Sequence, residues 1–233
     1  MNNSPVMKIS DSKADTYFLV AAISLVTNSV MVNLANAFDK ETASGKVITV
    51  FCGLMMIASG LASYIATIKG FGFVNKKCML DDNNPNYYLG RKLQRLAVAS
   101  VFVTIILTIV TSVIFVVASQ YIEAEALTAA DRKAYDNLLG IVAIVSIITV
   151  IFDITLPYMI YLWNIHKASG GDNFALLVVI IMVVQIIIAS LNSIYAARGN
   201  DNSFLATFSI LLDVLEGIAL MLFFFKRKQA LKE

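Results

Sequence analysis

The 233-residue chain has one histidine, two cysteines and three prolines, and only 15% of its residues are charged. Each scarcity excludes a class of chemistry. With His166 alone, haem held by paired histidines and His-rich metal centres lack their ligands. Cys52 begins one apolar run and Cys78 lies in a polar loop beyond its far end. The two are expected on opposite sides of a membrane, with neither a disulfide nor a metal-site spacing. Eighteen lysines and arginines against sixteen aspartates and glutamates leave a net charge of +2, too little for a nucleic-acid module. G-x-S-x-G, H-E-x-x-H, a phosphate-binding Walker loop and the potassium-filter T-V-G-Y-G are all missing, and the last apolar run contains no lysine to hold retinal. No catalytic constellation is present, so the chain is expected not to be an enzyme and to carry no cofactor.

What is abundant is apolar: 58% of residues are hydrophobic and the mean hydropathy is +0.77. These residues fall into six runs, about 17–37, 47–68, 96–119, 138–163, 174–197 and 204–225. Each is long enough for the roughly 20 helical residues that cross a bilayer core. The predicted fold is an all-α, polytopic membrane helix bundle of six transmembrane helices, with residues 1–233 forming a single transmembrane domain. Of the basic residues, 13 fall on one set of alternating sides, including Lys69, Lys76, Lys77, Arg91, Lys92, Arg95, Lys226, Arg227 and Lys228, and 5 on the other. The positive-inside rule then places both termini in the cytoplasm of a plasma or inner membrane. The same charges predict attraction of anionic lipid to the basic cytoplasmic face. The expected partners are the bilayer itself and either further copies of the chain or other subunits of a membrane complex.

Local signals refine the ends. Ser12 with Asp15, and Thr128 with Asp131, have the capping-box spacing, so the first and fourth helices should begin ahead of their apolar runs. The fourth could extend from about 129 to 163. Gly170-Gly171-Asp172 predicts a tight turn followed by a cap. Asp81-Asp82-Asn83-Asn84-Pro85-Asn86 reads as a turn, since it lacks the glycine and closing glutamate of a calcium loop. Ala35-Asn36-Ala37 has the form of a signal-peptidase site. Asp11 and Asp15 dilute the basic region before it, and the run exceeds a signal core, so the segment is expected to be an anchor.

The polar residues inside the spans carry the functional information, because a charge at bilayer depth is costly and usually faces the bundle interior or a water path. Asp153 lies in the fourth span, and Asp213 and Glu216 share one face of the sixth. At about 1.5 Å per residue all three come out near mid-depth, with Asn28 and Gln185 at a similar level. No lysine or arginine lies within the hydrophobic part of any span. The three acids are therefore predicted to form an ion or proton site. Pro157 cannot bond to the carbonyl of residue 153, which is expected to free an oxygen beside the Asp153 carboxylate. Asn33, with Ser29 and Asn36, continues a polar stripe toward the outer end and suggests a hydrated vestibule. Ser59, Ser63 and Thr67, like Thr104, Thr108 and Thr111 or Ser112, read as small-residue packing stripes. Tyr158, Tyr161, Trp163 and His166 read as a headgroup-level anchor.

The function expected is a transport or channel protein that moves a cation or proton. One alternative is a structural or accessory subunit whose acids are bonded between helices. Another is a membrane component that binds a small solute through Asn28, Asn33, Gln185 and Asn192. Ile9, followed by Asp11-Ser12-Lys13-Ala14 at the start of the first helix, resembles the Asp-x-Lys-Ala opening of the membrane effectors of Pycsar-type antiphage systems. That resemblance implies a protein that permeabilises the inner membrane on a signal.

Overall fold

The computed structural model describes residues 12–38, 42–80, 86–122, 128–197 and 203–230. Ile9 and Asp11 of the motif above, and residues 81–85 of the expected turn, lie outside them. The described residues form seven helices: α1 (Ser12–Ala37), α2 (Ala43–Cys78), α3 (Tyr87–Ile122), α4 (Ala129–Phe152), α5 (Thr155–Ala168), α6 (Asn173–Ala197) and α7 (Ser203–Ala230). Helices α4 and α5 together make the fourth span, so six helical units are long and apolar enough to cross a membrane. Their outward faces carry unbroken apolar rows, such as Val50, Leu54, Ile57, Leu61 and Ile65 on α2. A water-exposed surface does not sustain such patches, whereas a lipid-facing one requires them.

Several ends follow from local chemistry. Thr128 and Asp131 form the reciprocal capping box at the start of α4, as the sequence predicts. Asp172 Oδ1 accepts from the backbone N–H groups of Phe174 and Ala175 at 2.9 and 3.2 Å, capping α6. The turn before it needs glycine, with φ of +73° at Gly170 and +115° at Gly171. Helices α2 and α3 have 36 residues each, or about 54 Å at 1.5 Å per residue, and run well past the apolar segments they contain.

Helices adjacent in sequence are adjacent in space, and α7 returns to pack on α1, closing the spans into a ring. The end of the ring where α1 begins and α7 ends, here the basal end, is tightly packed. Phe18 of α1, Phe71 of α2, Tyr158 and Tyr161 of α5 and Phe224 of α7 form a layer with ring centroids 4.8 to 6.0 Å apart. All five are fully buried or within 1% of it. Tyr158 and Tyr161 are thus core residues, which corrects the expected headgroup anchor. They occupy the inward face of α5, while Trp163 faces outward and Lys167 sits over its ring at 5.2 Å. Gly70 makes the layer possible, because a Cβ there would lie 2.3 Å from the Phe18 ring. The opposite, distal half is more loosely covered: Val47, Val50, Phe51 and Leu54 of α2 and Ile106, Ile109, Val113 and Val116 of α3 are all exposed.

Candidate functional site

The fourth span is broken where its acid sits. Asp153 leaves the helix with φ -62° and ψ 172°, and α5 restarts two residues later. Its Oδ1 accepts from the N–H of Ile154 at 2.7 Å, and its carbonyl accepts from the N–H of Leu156 at 3.1 Å. The carbonyl is therefore not free, contrary to the expectation drawn from Pro157. With the helix restarting at Thr155, Pro157 falls in the first turn of α5, where a missing N–H leaves no intrahelical bond unmade. Pro157 is buried and serves as a helix start and not as a source of a ligand oxygen.

Next to this break is a cavity of about 200 Å³. Asp153, Asp213 and Glu216 all line it, with Thr155, Gln185, Ser29 and Ser209. It lies just above the aromatic layer, because Glu216 stands two turns from Phe224 along α7 and Tyr158 little more than one turn from Asp153. Gly217 brings α7 onto α1 at this level, since a Cβ there would lie 2.6 Å from Val26 Cγ2. The three carboxylates are within electrostatic range of one another, and no lysine or arginine lines the cavity among the described residues.

Each acid has a different setting. Glu216 is buried, and Thr155 donates its hydroxyl to Glu216 Oε1 at 3.1 Å. Asp213 lines the cavity from an exposed position and accepts from Gln185 Nε2. Gln185 Oε1 is buried without a hydrogen-bond partner among the described residues. A buried acceptor in that state is stabilised by any donor that arrives, including water or a hydronium ion. Asp153 is half-buried. Among the described residues, no group of three or more histidine, cysteine, aspartate or glutamate side chains is arranged to hold a metal ion.

Asp153, Asp213, Glu216 and Gln185 therefore converge. The other predicted polar residues do not join them directly. Asn28 points away to the α2 side, with its Nδ2 4.0 Å from where a Gly60 Cβ would be. Asn33 donates to the Ser29 carbonyl at 2.8 Å and so follows the stripe that begins at the cavity wall. Thr155 also joins the acids; its sequence signal, a hydroxyl between Asp153 and Pro157, does not distinguish local backbone bonding from a role in the site. Ser59, Ser63 and Thr67 are buried as a packing stripe, and Thr67 pairs its hydroxyl with that of Tyr158 at 3.0 Å. No family model, no curated protein and no solved structure matches this chain.

Proposed function

We propose that the protein is a non-enzymatic membrane transport or channel protein that moves a cation, and that the proton is the cation its site suits best. The observation that carries this reading is the convergence of three carboxylates from two spans on one cavity, with no basic side chain in its lining among the described residues. In a medium of low dielectric such carboxylates repel one another unless a cation or proton comes between them. The absence of a chelating cluster among the described residues argues against a tightly coordinated metal ion. The separate donors, Thr155 for Glu216 and Gln185 for Asp213, suit proton hopping between acids of different exposure. The aromatic layer is the barrier on the basal side, and the Thr67–Tyr158 hydroxyl pair is a polar step within it. By the charge asymmetry of the loops, that basal side is the cytoplasm of a plasma or inner membrane.

The test is proton and alkali-cation flux in proteoliposomes for the parent and for Asp153→Asn, Asp213→Asn and Glu216→Gln. Loss of most of the flux in at least one variant that remains folded is expected. Three variants equal to the parent would overturn the assignment.

The same two interhelical hydrogen bonds support a second reading, an accessory subunit whose acids hold helices together. On that reading the purified chain conducts nothing and the amide variants, which keep a bonding partner, melt like the parent. Isolation under mild conditions as part of a stable complex with other chains would favour it.

A further inference from the structure

The basal end contains a second cavity, unconnected with the acids. It is a groove of about 350 Å³ between α2 and α3, lined by Ile68, Lys69, Gly72, Phe73, Asn75, Lys76 and Gln94. Lys69 and Lys76 are seven residues apart on one face of α2, with Gly72 between them leaving the floor without a side chain. Lysine stems are long and flexible, so two ammonium groups at this spacing can close on one group held above Gly72.

The amide of Gln94 lies beside that floor, with its Nε2 3.4 Å from where a Gly72 Cβ would be. Asn75 Nδ2 donates to Gln94 Oε1 at 2.8 Å, which fixes the Gln94 amide with its nitrogen as an available donor. Gly90 supports this arrangement by letting α3 approach the Asn75 backbone, since a Cβ there would lie 2.7 Å from Asn75 Cα. Lys13 adds a third cation at the rim, 5.9 Å over the Phe73 ring, while the Lys69 ammonium lies 5.8 Å over the Tyr17 ring. No acidic side chain lines the groove among the described residues.

The wall is apolar at Ile68 and Phe73. Ile68 is the last residue of the apolar run of α2, so the groove begins where the hydrocarbon ends. Two lysines and an amide donor above an open floor, adjoining an apolar wall at headgroup depth, match a phosphate ester with an apolar tail.

We propose that this groove binds the phosphate of an anionic phospholipid headgroup, held by Lys69 and Lys76 and oriented by the Gln94 amide. A soluble phosphate would use the same donors, and the apolar wall favours the lipid. The inference does not depend on what the acids do.

The full chain in detergent is titrated with phosphatidylglycerol and with phosphatidylcholine, and bound lipid is counted by native mass spectrometry. Inorganic phosphate is titrated separately. Retained phosphatidylglycerol is expected, with affinity falling at least about tenfold in Lys69→Gln/Lys76→Gln. The charge-matched Arg91→Gln/Lys92→Gln control, on exposed residues outside the groove, should bind like the parent. Gly72→Leu fills the floor without altering charge and should also abolish retention. If it fails to fold, the lysine pair still decides. Saturable inorganic phosphate binding, lost in the lysine pair and with no preference for phosphatidylglycerol, would keep the anion site and overturn the lipid as its ligand. Equal losses in the lysine pair and the control, or none in either, would show that attraction is spread over the whole basic face and would overturn the site.

Discussion

Arg227, near the end of α7, donates its Nε to Asp15 Oδ2 at 3.1 Å, joining residues 212 positions apart. The Asp15 side chain is 0% exposed and that of Arg227 10%, and the guanidinium also lies 5.6 Å from the centre of the Tyr161 ring. The pair fastens the last helix to the first on the basal side of the aromatic layer. Removing one member strands a buried charge, which typically costs about 3–5 kcal/mol, whereas replacing both with apolar residues is often close to neutral. Asp15→Leu and Arg227→Met should each lower the unfolding temperature strongly, and the double variant should recover much of the loss. Both native cysteines are buried, so a thiol-reactive dye reports the transition directly.

Phe18 over Gly70 is the tightest contact of the aromatic layer. A methyl group at position 70 would have to displace a fully buried ring held on several sides. Gly70→Ala is expected to destabilise by about 1–3 kcal/mol through overpacking. Gly53, beside which a Cβ would meet nothing, is the control at which alanine should be tolerated. The same thiol assay checks both.

Thr155 and Tyr158 separate transport from stability. Thr155→Val keeps the shape of the side chain but removes the donor to Glu216, and Tyr158→Phe removes the partner of Thr67. Each should cost only about 0.5–1.5 kcal/mol in folding. If protons pass from the acids through the layer, both variants should lower flux by more than such small losses explain. Flux at the parent level in both would remove these hydroxyls from the path.

The ring geometry puts the start of α1 and the end of α7 at one end, as the Asp15–Arg227 pair requires, and the loop charges predict that this end is cytoplasmic. Single cysteines at Tyr88, Lys133 and Gln229, in a background lacking Cys52 and Cys78, can be tested with an impermeant thiol reagent on intact cells. Labelling at Lys133 alone is expected. Labelling at Tyr88 and Gln229 without Lys133 would mean the inverted orientation.

The spans, the Thr128–Asp131 cap, the glycine turn before α6 and the convergence of the three acids could all be read from residue order. Span length, capping and depth are properties of position along a helix, and position along the chain supplies them. Which way a side chain faces is different, because it depends on what packs on each side. Tyr158 and Tyr161 therefore looked like interfacial anchors at the end of an apolar run, although they point inward from α5. Pro157 signalled a disturbed helix correctly, but whether the disturbance is a kink with a bare carbonyl or a restart with a bonded one depends on where the next turn begins. Thr104 fits a packing stripe by spacing alone. Its hydroxyl oxygen is buried without a hydrogen-bond partner among the described residues, which spacing does not reveal.

That break has a mechanical meaning as well. Continuous backbone hydrogen bonding makes a helix a stiff rod, and at Asp153 and Ile154 the rod is cut. The piece below is fixed by Tyr158, Tyr161, Leu162 and Ile165, all deep in the packed end, while the piece above buries little more than Ala143. Tilting α4 therefore need not disturb the layer that seals the bundle. The joint about which such a tilt would turn is the residue that carries the carboxylate, so any tilt would move α4 about the wall of the acid-lined cavity.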